Sequence, residues 1–383
     1  MKKFMEIKPY SVIFTSGTIS IDMLENLLQI KFYKTMNNKH IINKNQFLMN
    51  IIENHSVLNY RFNHYHRNDK NQINYFGIDI NNLAKSVKKG GILVFFKSYD
   101  YLKKCHDIWK YNNIFSDIKD NKTIIYDLKY IYKNIEDNIK EAKSNNNILL
   151  FTVYRGKNSE GINFKDDEAR MVICVGIPYP NLSDLKIKLK LNFLEKRYEE
   201  NKSGYDSVTW YEEEASVAVN QALGRLLRHK DDYGIMICFG VDFKNYSLFS
   251  KWINPNKKLI RLNGDNDYSY FKGLQSFLAE KNSSEKTNDI IDNENYDDKL
   301  NKCEESYENE DYEDDDESID KNYKELDEQK LEEDNDDNEY DDEEQYFENE
   351  EDIELFIKNE VEDSRALNST NNLIGYKRYR FDD

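Results

Sequence analysis

Five short runs, SVIFT (11–15), ILVFF (92–96), ILLFTV (148–153), MVICVGI (171–177) and IMICFG (235–240), are apolar at nearly every position. A strand buried on one face alternates apolar with polar residues. An uninterrupted apolar run is what a strand covered on both faces requires. Between these runs, YLKKCHDIWK (101–110), the segment from Ile124 to Lys143, DLKIKLKLNFLEKRYEE (184–200) and YEEEASVAVNQALGRLLRH (211–229) read as helices. Such alternation predicts an α/β fold, a parallel sheet with helices on both faces. In sheets of this kind ligands gather at the carboxyl ends of the strands, which directs attention to the segments leaving them.

TSGTIS (15–20) leaves the first run and places Thr15, Ser16 and Thr18 around Gly17, donors that suit a phosphate or equally an ordinary turn. Lys97, Ser98 and Tyr99 leave the second. RGKNSEGINF (155–164) leaves the third, with Arg155 and Lys157 cationic, two glycines permitting close approach, and Glu160 able to accept hydrogen bonds. In NQALGRLLRH (220–229), a continuous helix would set Gln221, Arg225 and Arg228 at i, i+4 and i+7 on one narrow face. Gly224 beside them removes a side chain where something comes close. An arginine fork suits a carboxylate or phosphate, while a solvated face of an amphipathic helix has the same spacing.

Charge divides the chain. Residues 281–383 hold 40 Asp and Glu against 12 Lys and Arg, a net of −28, so residues 1–280 carry +10 of the whole-chain −18. Blocks such as DYEDDDESID lack the apolar surface needed to offset chain entropy. The expected organisation is a domain over 1–265, a linker over 266–285 and a disordered acidic tail over 286–383. Cys105, Cys174, Cys238 and Cys303 form no C-x-x-C pair, and His64 and His66 have no further ligand at useful spacing, so no metal site is expected. His229, beside Arg228, is a cation of the type that favours a helix C-terminus. No apolar run approaches a membrane span and the start has no apolar signal core, which predicts a soluble intracellular protein.

Taken in order, these segments resemble the second RecA-like domain of superfamily 2 iron-sulfur DEAH-box DNA helicases of the XPD type. PYSVIFTSGTIS resembles motif III, GGILVFFKSYDYL motif IV, FTVYRGKNSEGINF with DDEARMVICVGIPYPN the motif V region, and WYEEEASVAVNQALGRLLRHKDDYG motif VI, together spanning about Pro9 to Phe243. DDEAR, GIPYPN and VNQALGR lean toward the Fanconi anaemia group J branch, with the telomere-length-regulating branch nearly as close. The resemblance implies a RecA-like sheet and a motor whose ATP lies between two such domains. It implies that Gln221, Arg225 and Arg228 face the γ-phosphate, the arginines acting as fingers. Glu160, Gly161, Asn163 and Gly224 would lie near the nucleotide, Thr15, Ser16, Gly17 and Thr18 in the coupling segment, and Lys97, Ser98, Tyr99, Arg155 and Lys157 along single-stranded DNA.

The chain departs from the family pattern in several places. Asn163 stands where the family usually has Asp, keeping an acceptor oxygen and losing the charge, and Lys97 replaces a proline. No G-x-x-x-x-G-K-[ST] occurs, DEAR (167–170) precedes a strand where a magnesium-binding acid would follow one, and the four cysteines of the family's iron-sulfur domain are missing. The expectation is therefore the C-terminal motor half of a nuclear, 5′–3′ DNA repair or recombination helicase. ATP and Mg²⁺ would be held mainly by an N-terminal half present in cis or trans, and the 4Fe–4S cluster of the full-length family would not be bound by this chain. Single-stranded or forked DNA, and repair proteins reached through the acidic tail, are the expected partners, with no membrane. The alternative is a non-catalytic remnant domain that binds DNA or protein.

Overall fold

The computed structural model describes residues 6–283, apart from 19–20, 37, 39, 57, 64, 130, 132–134, 158–160, 202–204, 245–247, 254–255, 263–266 and 268. Glu160, His64, Cys303 and the tail over 286–383 lie outside the described residues.

In chain order the elements are α1 (Ile21–Leu28), β1 (Phe47–His55), β2 (Leu58–Asn59), α2 (Lys70–Ser86), β3 (Ile92–Phe96), α3 (Tyr99–Tyr111), β4 (Thr123–Tyr126), α4 (Ile135–Ser144), β5 (Ile148–Val153), β6 (Met171–Val175), α5 (Leu185–Asn201), α6 (Ser207–Leu223), β7 (Gly234–Phe239) and β8 (Lys257–Leu262). The strands form one sheet in the order β2-β1-β7-β6-β3-β5-β4, with β8 also pairing with β1. All pairings are parallel except β1 with β2.

The α/β fold with helices on both faces is as the apolar runs predict, and β3 shows why. Ile92, Val94 and Phe96 enter one core with Phe76, Leu102 and Trp109, while Leu93 and Phe95 enter the opposite core with Val219 and Phe243. With both faces covered, every position on this strand is apolar. β5, β6 and β7 follow the same rule, burying every residue.

Four local expectations are corrected. SVIFT forms no strand: it is irregular, and Ile13 is 83% exposed, because no described strand lies beside it to complete its backbone hydrogen bonds. The span Ile124 to Lys143 is not one helix but β4 followed by α4. The stretch 266–285 includes a helix over residues 269–283, whose Leu274 and Leu278 join the core containing β3. Last, α6 ends at Leu223, and the Gly224 N–H bonds back to the Asn220 carbonyl at 2.8 Å.

β1 is a strand that the apolar pattern misses. Asn50, Glu53 and Asn54 interrupt FLMNIIENH, yet all three are buried. Each has a partner: Asn50 donates to the Tyr270 hydroxyl at 3.1 Å, Glu53 meets Lys244 at 3.0 Å and Arg261 at 3.3 Å, and Asn54 donates to the Ser56 carbonyl at 2.6 Å. Partnered in this way, although the Asn54 Oδ1 accepts no hydrogen bond, polar side chains are tolerated in a buried strand.

Candidate functional site

The end of α6 and the turn beyond it form one wall of a cleft of about 630 Å³. Asn220, Gln221, Gly224, Arg225, Leu227 and Arg228 come from this wall, Gly161, Ile162 and Asn163 from the segment after β5, Gly17 and Thr18 from the segment before α1, and His40, Ser250 and Trp252 from two further loops. Eight of the sequence-predicted residues, Gly17, Thr18, Gly161, Asn163, Gln221, Gly224, Arg225 and Arg228, thus meet in one place.

Gln221, Arg225 and Arg228 do not form a helical stripe, since the helix stops between the first and the second. Tight i→i+3 bonds follow, from the Arg225 N–H to the Ala222 carbonyl at 3.1 Å and from the Leu226 N–H to the Leu223 carbonyl at 3.2 Å. Leu226 turns into the core and the arginines are left on the turn. Arg225 donates to the Ile162 carbonyl at 3.3 Å, which links it to the segment holding Gly161 and Asn163. Asn163 offers its own carbonyl to the Lys143 ammonium, and its side chain is exposed.

Arg228 is held through its backbone. Its N–H donates to the Asp232 carboxylate at 2.9 Å, and the other oxygen of Asp232 accepts from Arg170 at 2.7 Å and from the Tyr233 N–H at 2.9 Å. Asp232 and Arg170 are both fully buried. Arg170 also bonds Asp167 at 2.8 Å and the Tyr233 carbonyl at 3.0 Å, and its guanidinium lies 3.9 Å from the centre of the Tyr233 ring. The DEAR acids are consequently engaged in packing: Asp167 with Arg170 and Lys89, Glu168 with Lys143. Desolvation draws the Arg228 guanidinium below its ordinary pKa while Asp232 opposes the shift, and an arginine so placed remains a cation.

His229 is not at the end of a helix. It sits on the loop and meets Asp166 at 2.7 Å, a contact that raises its pKa. Asp166, His229 and Asp232 bring ligand-type atoms within 4.8 Å of one another, but both oxygens of Asp232 are already committed to Arg170, Tyr233 and Arg228.

The proposed DNA contacts lie apart from the cleft, around the carboxyl ends of β3 and β5. Lys97 donates to the Phe62 carbonyl. Ser98 caps α3, accepting from the Tyr101 N–H at 3.3 Å. Tyr99 is partly exposed, and burial followed by the nearby Asp127 pushes its phenol up to about 12. Arg155 has a left-handed φ of 58° and donates to the carbonyls of Pro178 at 3.3 Å and Glu214 at 2.6 Å, so it ties the end of β5 to α6. Lys157 is exposed and pairs with Glu136 at 3.1 Å. Thr15 and Ser16 do not line the cleft; the Ser16 hydroxyl accepts from the Thr18 N–H at 3.2 Å.

The sequence reading missed Asn220, His40 and Trp252. Asn220 is buried, donating to the Leu248 carbonyl at 2.7 Å and accepting from the Ser250 N–H at 2.8 Å, so it fixes the loop that bears Trp252 to α6. His40 stacks on Trp252 with ring centres 4.1 Å apart and planes at 8°. No local pattern marks residues brought together over more than 200 positions.

A cleft with two arginines, three carboxamides and three glycines, and no carboxylate among the described residues of its lining, suits a polyanion, the guanidinium forks matching phosphate oxygens. Residues 80–256 match the family model described as the helicase C-terminal domain. Over these residues the chain is similar to a helicase C-terminal domain. Regulator of telomere elongation helicase 1 homolog from Drosophila melanogaster is 33% identical to it over 261 residues, which are 66% of this chain and 26% of that protein. The homologue from Drosophila grimshawi is 33% identical over 265 residues, again 66% of this chain and 26% of that one. The chain thus spans about a quarter of the length of the curated relatives it matches. Among solved structures, S. tokodaii Xpd4 is 18% identical with a TM-score of 0.39, covering 56% of this chain and 38% of that one.

Proposed function

We propose that this chain is the C-terminal motor domain of an ATP-dependent DNA helicase, RecA-like in fold, and that its cleft receives the phosphate end of ATP held by an N-terminal half. The observation that carries this reading is the convergence of Gln221, Arg225, Arg228, Gly161 and Asn163 on one cleft. Arg225 and Arg228 act as cations on the transferring phosphoryl group, where an arginine finger is worth roughly 10³ to 10⁵ in rate. Gln221 and Asn163 orient, and Glu160 belongs to the same segment. The cleft lining fits the phosphates of ATP but has no acid for Mg²⁺ among its described residues; the other half would supply it. A 4Fe–4S cluster does not fit the described cysteines: Cys105, Cys174 and Cys238 are buried in the two cores. That cluster, too, is assigned to the other half.

The irregular segment before α1 supports a partner half. Tyr10 and Ile13 are fully or largely exposed, and an extended apolar segment of this kind is suited to joining another sheet edge. Lys97, Ser98, Tyr99, Arg155 and Lys157 are the proposed single-strand contacts; the Lys157–Glu136 ion pair is exposed and worth about 0–1 kcal/mol, so phosphate can displace it. Nuclear repair or recombination work with 5′–3′ movement on single-stranded or forked DNA is part of the proposal. The motif wording leans toward the Fanconi anaemia group J branch, and the relatives at 33% identity bear the telomere-regulator name. Turnover after supplying a matching N-terminal half tests the reading: DNA-stimulated hydrolysis that vanishes in Arg225→Ala and Arg228→Ala supports it. Hydrolysis indifferent to both substitutions overturns it.

A further inference from the structure

The phosphate reading leaves one part of the cleft wall without a task. His40 and Trp252 lie there as a parallel stack, 4.1 Å between ring centres with planes at 8°. The stack is rigidly backed. Trp252 meets Phe47 of β1 edge-on at 5.3 Å, and its loop is fastened to α6 by the Asn220 carboxamide. His40 is itself oriented: its Nδ1 accepts from the Ile42 N–H at 3.3 Å, which makes Nδ1 the unprotonated nitrogen and Nε2 the one that carries hydrogen. Partial burial lowers the pKa of His40, in keeping with a neutral ring. Unlike Trp252, which is partly buried, His40 is exposed.

We propose that the His40–Trp252 stack is a platform for a nucleobase, so that the cleft selects a nucleoside triphosphate over a bare polyphosphate. This rests on reading the Arg225 and Arg228 side as the phosphate end. A neutral imidazole lying flat on an indole presents an extended π-surface, and planar bases gain their affinity on such surfaces through offset stacking without reading a base edge. The alternative role for His40 is to shield one face of Trp252 from water, which involves no ligand at all.

The two roles separate in titration calorimetry on the full chain with ATP and with inorganic tripolyphosphate, the same three phosphoryl groups with and without a nucleoside, tripolyphosphate having one more ionisable oxygen. ATP is expected to bind about ten-fold more tightly than tripolyphosphate, a margin in the range of one stacked base. His40→Ala should erase that margin while leaving tripolyphosphate affinity unchanged, and His40→Phe should restore it. Arg228→Ala should weaken both ligands alike. Equal affinity for the two ligands in the unsubstituted chain, or a margin that survives His40→Ala, overturns the platform and leaves the phosphate end standing. Absence of ATP binding by the unsubstituted chain overturns the platform, while the phosphate reading is decided separately by turnover with the N-terminal half.

Discussion

Two arginines separated by 58 positions illustrate how one side chain acquires opposite duties. Arg170 is buried against Asp232 and Asp167, whereas Arg228 is exposed and anchored only through its backbone. Removing Arg170 strands the Asp232 carboxylate in the core, and breaking a buried pair from one side costs about 3–5 kcal/mol. Urea denaturation of Arg170→Ala should register that loss. Arg228→Ala and Arg225→Ala should each cost less than the Arg170 substitution in the same assay, since neither side chain is buried as Arg170 is and the Arg225 bond to the Ile162 carbonyl is a neutral-acceptor bond at 3.3 Å. In the assembled two-half enzyme those substitutions should instead abolish turnover. A loss of several kcal/mol with turnover retained would make the pair structural. The presence of cations and an amide in this region was legible in NQALGRLLRH. Their geometry was not, because the helix stop depends on Leu226 entering the core and on Asp232 capturing the Arg228 amide, contacts the local spacing does not encode.

At the scale of elements, the sequence was most readable where burial was simplest. β3, β5, β6 and β7 are covered on both faces, so their apolar runs stand out unaided. β1 was hidden because Asn50 and Glu53 are partnered from far along the chain, by Tyr270 and by Lys244 and Arg261. SVIFT erred in the other direction: its composition is that of a strand, but a strand also needs a neighbour. α1 packs on α6 near a further irregularity. Glu213 on α6 has a buried Oε2 with no hydrogen-bond partner, and burial, then Asp22 of α1, then Glu214 push its pKa to about 7. A carboxyl whose folded pKa lies above its unfolded value of about 4.3 binds its proton more tightly when folded. Its protonated form therefore favours folding at low pH, and stability is lost as pH rises through about 7. Glu213→Gln should leave the melting temperature nearly unchanged at pH 4 and raise it at pH 8, the gain being below about 1 kcal/mol because the group is partly solvated. Equal effects at both pH values would show that the charge carries no penalty there.

For the molecule as a whole, the absence of a phosphate loop from the sequence and of acids among the described residues of the cleft lining leads to the expectation that the chain alone hydrolyses no ATP above background. A DNA-stimulated phosphate-release assay on the pure chain checks this, and robust turnover would defeat it. Charge sets a second expectation at this scale. Residues 1–280 carry +10 and residues 281–383 carry −28. The expectation is that the acidic stretch competes with DNA for the basic surface, at an effective concentration on the order of millimolar. Deleting residues 286–383 should tighten single-stranded DNA binding, most at low salt, where screening is least. Titration of a labelled oligonucleotide at two salt concentrations measures it, and equal affinities at low salt would exclude the competition.

The turn from Gly224 to Arg228 is fastened at both ends, by the Gly224 amide to α6 and by the Arg228 amide to Asp232, with Arg170 tying Asp232 to the start of β6. A bracket clamped in this way has little play of its own. A ligand that draws on the arginines pulls the helix and the sheet as one body, so any closing of the cleft is a displacement of the whole domain rather than the swing of a loop. Such a body can turn a small change at the phosphates into movement at the far strand ends, where the proposed DNA contacts stand.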